Sequence, residues 1–489
     1  MLWNIIRFEI GYQLRRYLTQ IFAGLMFVLT LLAMTTDIIT LGGSGPLIKI
    51  NAPYVLANMT MAMSIIGLVL LPAITGTSVI RDFEMKTHEL LYTTPMTKFQ
   101  YVIGRFIGSF SVTLMIYLGA AFGLFLGAML APVFGKDADK VLPVWDILAY
   151  LTPYLVISIP NAFFFAAISF SVGLIVRNFV AVYVQGFALL ILWQISSNFT
   201  QDIENRVIAA LSDPFGFRAF RLDTMYWTPA ERNFLHIPLD GYLILNRVVW
   251  IAITCGIVAL MYSLFRMSVE TLKVRRSVAK AKEGERTSGM DAVNVPAVSQ
   301  FFGFGAEWTQ FVSSVKLYFK FIIREKAFLA ISLIGVANFF INAWYTNHTT
   351  DLTLYPVTFL MLETISGFGL YGIIISALYA GELTWKERAL KLHQTFDAMP
   401  APIHVTYIGK ITALTLAHTV LYLFLIVAAV FMQTIQGYFD YQLATYLFYV
   451  LVVTIPLFLQ INLLSFFIHS LTNNKYLGHF GVVLFYILG

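Results

Sequence analysis

Apolar stretches of about twenty residues recur along the chain, at 20–41, 57–80, 101–131, 147–176, 179–196, 248–266, 327–345, 356–381, 405–432, 443–469 and 476–489. A helix of about that length is what a hydrocarbon core of roughly 30 Å requires. Membrane barrels show a different signature, alternating segments of roughly ten residues, so strands are a poor fit to these continuous runs. The aromatic content points the same way: 43 Phe, 25 Tyr and 8 Trp with a mean hydropathy of +0.76 exceed what a water-soluble core of this length holds. The expected fold is all-α, a polytopic membrane protein of about 11 transmembrane helices.

Basic residues accumulate on the side of a membrane protein that stays in the cytoplasm. With Met1 inside, roughly three-quarters of the 32 Lys and Arg fall in the inner segments, which predicts a cytoplasmic N-terminus. Arg15 and Arg16 precede the first run, which is long enough to span and lacks a small-residue cleavage site, so it reads as an uncleaved span. The single cysteine, Cys255, sits in an apolar run and reads as packing. A net charge of +6 does not argue for nucleic acid, because the basic residues are spread over loops beside the membrane, where anionic lipid headgroups attract them.

The chain reads as two related halves. Ile103-Gly104-Arg105 lies on Ile408-Gly409-Lys410, and the same spacing places Pro95 on Pro400, Arg81-Asp82 on Lys386-Glu387, and Arg15 on Lys320. At a second spacing Ile159-Pro160 matches Ile455-Pro456, Ser169-Phe170 matches Ser465-Phe466, and Asn178 matches Asn474. Each half has basic residues before a first span, a second span, a charged segment, a third span and a fourth span that the proline should break. The matching segments share one orientation, so the repeat is parallel. The first half covers 1–266, the second 311–489, and 267–310 forms a charged, Gly-, Ser- and Pro-containing cytoplasmic linker suited to water, lipid headgroups or a docking partner. Gly489 aligns with Trp193 inside the fifth span of the first half, so the second half is expected to be incomplete and the natural chain to continue.

A charged segment follows the second run, with Arg81, Asp82, Glu84, Lys86, His88 and Glu89 beside the apolar Met85, Leu90 and Leu91. Thr94-Pro95 should end it, since proline disfavours helix at the preceding residue and lacks an amide to donate. One short amphipathic helix at the cytoplasmic surface is expected. The second copy, "GELTWKERALKLHQTFDAMPAPIHVTYIGK", carries Lys386, Glu387 and Arg388 and ends at Pro400 and Pro402.

The order "MKTHELLYTTPMTKFQYVIGR", with Glu89-Leu90-Leu91 and Thr94-Pro95 ahead of Gly104-Arg105, resembles the segment after the second span of ABC-2 type permeases. In that family the segment is the coupling helix, which fits a groove on a cytoplasmic ATPase and passes closure of the ATPase pair to the spans. The resemblance implies coupling roles for Arg81, Asp82, Glu84, Lys86, Glu89, Thr94 and Pro95, and for Lys386, Glu387, Arg388 and Pro400 in the second copy. That copy has Gln394-Thr395-Phe396 and Met399-Pro400 where the first has Glu-Leu-Leu and Thr-Pro. "IIRFEIGYQLRRYL" resembles the family's interfacial connecting helix, and "FVSSVKLYFKFIIREK" is its counterpart. The implied partners are two ABC ATPase subunits, which would hold ATP and Mg, and membrane lipids.

The stretch 213–250, "DPFGFRAFRLDTMYWTPAERNFLHIPLDGYLILNRVVW", resembles a segment of tandem ABC-2 permeases whose chains continue into a zinc aminopeptidase-like domain. Read from the residues, 197–247 is an extracytoplasmic subdomain of short helices, with Tyr226 and Trp227 suited to the membrane interface.

No G-x-x-x-x-G-K-[ST] phosphate loop occurs, so any ATP hydrolysis belongs to another chain. His88-Glu89 begins like the zinc helix H-E-x-x-H, but Tyr92 stands where the second ligand belongs. With 8 His and 1 Cys scattered along the chain, neither a metal nor a cofactor site is expected here. Glu363, inside a run, needs a cavity or a polar partner. Substrate contact, proton coupling, or a structural hydrogen bond to Thr364, Ser366 or a neighbouring helix would each satisfy it. Asn161, Gln185 and Gln194 suit hydrogen bonds between helices.

Three functions remain open. The first is the permease of an ABC transporter in the plasma membrane, exporting or flipping an amphipathic substrate. The second is the membrane part of a fused zinc aminopeptidase, and the third a proton-coupled carrier centred on Glu363.

Overall fold

The computed structural model describes residues 1–36, 47–136, 138–143, 146–198, 206–267, 303–346, 355–390, 392, 394, 402–472 and 475–488. The chain is an all-α multi-pass membrane protein, with no strand among the described residues. Over its described residues, each of the eleven apolar runs is predominantly helical. Eight helices are long and apolar enough to span, a bent pair makes a ninth, and Phe179–Asn198 and Lys475–Leu488 account for the other two runs.

In the first half, α1 (Leu2–Leu14) is followed by the span α2 (Tyr17–Thr35). The second run is the bent pair: α3 (Pro53–Leu70) starts with proline in its first turn, where a missing amide costs nothing, and α4 (Pro72–Thr75) and α5 (Thr77–Glu84) continue it after a 45° bend. The short α6 (Thr87–Tyr92) precedes the 33-residue α7 (Lys98–Leu130), which opens on a Thr97–Gln100 capping box. The fourth span joins α8 (Ile147–Pro153) to α9 (Ile159–Val176), and α10 (Phe179–Asn198) follows. Short helices α11 (Arg206–Ser212), α12 (Phe217–Thr224) and α13 (Pro229–Phe234) occupy the far end before the span α14 (Tyr242–Leu264).

The second half repeats the order. α15 (Phe304–Arg324) precedes the span α16 (Lys326–Thr346); α17 (Thr358–Ser366) and α18 (Gly369–Ala389) share one span; α19 (Ile403–Ile435) follows. Next come α20 (Leu443–Phe448), α21 (Ile455–Leu471) and α22 (Lys475–Leu488). The linker at 267–310 lies mostly outside the described residues. One hydrophobic core runs through both halves, from Phe22 and Met26 of α2 through Val182 and Tyr183 of α10 to Phe328 and Ile331 of α16.

The sequence repeats now acquire physical reasons. Gly104 lets α1 lie against α7, since a Cβ there would stand 2.9 Å from Ile5 Cγ2; in the second half a Cβ on Gly409 would stand 3.1 Å from Ser314 Cβ of α15. The prolines do not break the fourth spans. In both copies one wide π turn absorbs the proline: Tyr154–Ser158 precedes Ile159-Pro160, and Tyr449–Thr454 precedes Ile455-Pro456. The amide of Ile159 reaches back five residues to Tyr154, and that of Ile455 to Val450. A turn one residue wider relieves the clash of the ring with the preceding turn, so the helix continues. Ser169, Phe170, Ser465 and Phe466 are all buried.

α1 and α15 show apolar faces outside the bundle. Trp3 and Phe8 on α1 and Phe304 and Trp308 on α15 are exposed, as suits helices lying in the membrane interface.

Candidate functional site

The charged segment after the second span is two helices, not the single one expected. Lys86 takes a left-handed conformation at φ 55° and ends the regular turn between α5 and α6. Arg81 and Asp82 thus belong to the last turn of the membrane helix, while α6 is a separate helix with no fully buried residue, resting on α7 through Leu91 and Tyr92. Glu84, Lys86, Glu89 and Pro95 are exposed, and Thr94 is half-buried, its hydroxyl donating to the carbonyl of Leu91. His88 packs its ring between Phe83 and Tyr92. Burial pushes the Tyr92 phenol above its ordinary pKa.

Beneath α6 lies a buried ion cluster of Arg81, Asp82, Arg105 and Glu9, the last of which the sequence did not single out. Arg105 of α7 donates from Nη2 to both oxygens of Asp82, at 3.0 and 2.8 Å, and from Nη1 to Glu9 of α1. Arg81 Nη2 donates to the same Glu9 oxygen at 3.1 Å, its guanidinium lying over the Tyr12 ring. Tyr101 donates to Asp82 at 3.0 Å, and Gln13 to Glu9 at 2.8 Å. Two carboxylates balance two guanidiniums, and the side chains of Glu9 and Asp82 are 0% and 4% exposed. Charges this dry must be paired and hydrogen-bonded. The arrangement locks α1, α5 and α7 into one unit.

The second half carries a simpler version. Lys410 of α19 pairs with Glu387 of α18 at 2.9 Å, and Tyr318 of α15 donates to Glu387 at 3.1 Å. Asp82–Arg105 and Glu387–Lys410 are each 23 residues apart in sequence and occupy matching places in the repeat. Burial, with Glu387 beside it, pushes the Tyr318 phenol upward. A lysine offers a point charge where arginine offers a planar fork, and Ser314 stands at the place of Glu9, so the second joint has fewer ionic ties. Lys386 lies over the Phe321 ring, and Arg388 is exposed beside Trp385. Pro400 lies outside the described residues.

The intramembrane polar residues separate into two kinds. Asn161 donates to the carbonyl of Phe215 at 3.2 Å and accepts from buried Arg247, tying α9 to α14 and the loop before α12. Gln185 of α10 donates to Ser169 of α9 at 3.2 Å. Both therefore make the interhelical bonds expected of them, and the side chain of Gln194 lies outside the described residues. Glu363 differs. It is exposed at the mouth of a cleft of about 220 Å³ between α16 and the α17–α18 pair, lined by Gly335, Asn338, Phe339, Asn342, Thr364, Gly367 and Phe368. The hydroxyls of Thr364 and Ser366 donate instead to the backbone carbonyls of Leu360 and Glu363. Neither has a proton left for the Glu363 carboxylate.

Cys255 is exposed on α14. Among the described residues no group of three or more His, Cys, Asp or Glu is placed to hold a metal ion. No protein-family model and no curated protein sequence matches the chain.

Proposed function

We propose that this chain is the membrane permease of an ATP-binding-cassette transporter, with both halves on one polypeptide, its N-terminus in the cytoplasm and its place in the plasma membrane. A separate pair of cytoplasmic ATPase subunits, holding ATP and Mg, energises it through α6 and the matching segment after α18. The substrate is amphipathic and is exported or flipped between leaflets.

The observation that supports this reading most is the buried Glu9–Arg81–Asp82–Arg105 cluster directly behind α6. A bare six-residue helix at a membrane surface has little stability of its own. Set against a rigid joint of three helices, it acts as a handle: a displacement at α6 moves α1, α5 and α7 together. The exposed Met85, Leu90 and Glu89 give the handle an apolar and charged face for a partner groove.

The test is mass spectrometry of the natively expressed, tagged complex gently extracted from its own membrane. A co-purifying phosphate-loop ATPase supports the permease, and its retention should be lost on reversing the charge at Glu89. Recovery of the chain without any ATPase, under conditions that keep known transporters of this kind intact, would sink the reading.

A further inference from the structure

The cleft beside Glu363 combines three features. Its mouth holds a carboxylate, and among the described residues lining it none is Lys, Arg or His. Its wall carries two carboxamides one helical turn apart, with Asn342 donating to Asn338 Oδ1 at 2.7 Å. Its inner side is aromatic: Phe339 and Phe368 are each 2% exposed, and Phe368 stacks on Tyr371 at 4.8 Å.

Position within the span narrows the ligand further. Glu363 is five residues into α17, on the order of 8 Å along the helix from its start, at the end of the bundle away from Arg81. Glu363 therefore lies near one end of its span. An ionised carboxylate there is costly unless a cation or a polar group answers it. A carboxylate beside a carboxamide at the mouth of an otherwise uncharged, apolar-backed cleft is chemistry that suits an ammonium group. A volume of about 220 Å³ takes a head group and leaves no room for a long tail. The tail has a separate path outside the cleft, because Phe359, one turn before Glu363 on the same helix face, is an apolar side chain 78% exposed on the outside of the bundle.

We propose that this cleft binds the ammonium head of an amphipathic cation, with Glu363 as counter-charge, the Asn342 carboxamide as polar partner and the tail lying along Phe359 in the bilayer. This rests on the permease reading only in making the bound molecule a cargo. The same ammonium chemistry could arrive on a membrane lipid or on a free amphiphile from the water phase.

The test is equilibrium binding of radiolabelled decyltrimethylammonium to the full chain in phosphatidylglycerol nanodiscs, with empty discs as the blank. Saturable binding is expected, weakened at least roughly tenfold by Glu363→Gln and tightened by Asn342→Asp, which adds a second carboxylate. Displacement by water-borne choline would assign the site to free cations; displacement only by phosphatidylethanolamine in the disc would assign it to lipid. Glu363 is exposed, so Glu363→Gln should melt at the parent temperature, which separates lost binding from lost folding. Absence of saturable binding, or a Glu363→Gln variant that binds like the parent, would overturn the assignment. No ATPase enters the assay, so its failure leaves the coupling reading standing, and loss of that reading leaves the binding result intact.

Discussion

Arg105 and Asp82 meet through one guanidinium nitrogen and both carboxylate oxygens, at 3.0 and 2.8 Å, joining α5 to α7 across the α6 segment. Removing either partner leaves the other charged in a dry site. Arg105→Met should therefore cost on the order of 3–5 kcal/mol, read as a marked fall in melting temperature of the purified protein. The double variant Asp82→Leu, Arg105→Met should recover much of that loss, because two well-packed apolar groups carry no desolvation penalty.

Glu89 stands on α6 with its side chain in solvent. Glu89→Lys should leave stability within about 0.5 kcal/mol and lower ATP-driven transport roughly tenfold, in the usual range of coupling energies. Vesicle transport and ATPase activity measured together check this. A proton-coupled carrier would show the reverse, with transport indifferent to Glu89→Lys and abolished by Glu363→Gln.

Burial pushes the Glu325 carboxyl above its ordinary pKa, with Tyr379, Lys386 and Lys475 pulling the other way. A raised carboxyl favours folding when protonated, so its contribution is full below the unfolded value near 4.5 and is lost as pH rises through the folded value. Glu325→Gln should accordingly melt higher than the parent at neutral pH. The advantage should shrink as pH falls toward 4.5, which melting curves across pH would show.

Gly104 faces Ile5 across the α1–α7 contact, whereas Gly24 of α2 has nothing within 4 Å of the place a Cβ would occupy. Gly104→Leu should cost about 1–3 kcal/mol by overpacking. Gly24→Ala should gain about 0.5–1 kcal/mol from helix propensity alone. Paired melting measurements of the two variants test whether close approach, and not glycine itself, explains the repeated Gly104 and Gly409.

The helices were legible because periodic apolar length is a local property. Over its described residues every run became predominantly helical, and the matching Ile-Pro pairs marked matching places in the fourth spans. What was not legible depended on residues far apart. Arg81 and Asp82 looked like surface charges because their own neighbourhood is charged, yet Glu9 answers Arg81 from 72 residues away and Arg105 answers Asp82 from 23. A signal existed: Arg105 is an ionisable residue in largely apolar surroundings and follows a repeated glycine. The division of the charged segment at Lys86 left no trace either, since lysine rarely adopts a left-handed conformation. For Glu363, only geometry showed that the hydroxyls of Thr364 and Ser366 are spent on backbone carbonyls rather than on the carboxylate.

Glu9 sits in the second turn of the first helix and answers two guanidiniums from different parts of the chain. The opening residues are thus a structural part of the bundle. Trimming α1, a routine step when a membrane protein is engineered for expression, would strip out one of the cluster's two anions. Arg81 and Arg105 would then share Asp82, with a surplus positive charge stranded where water is scarce.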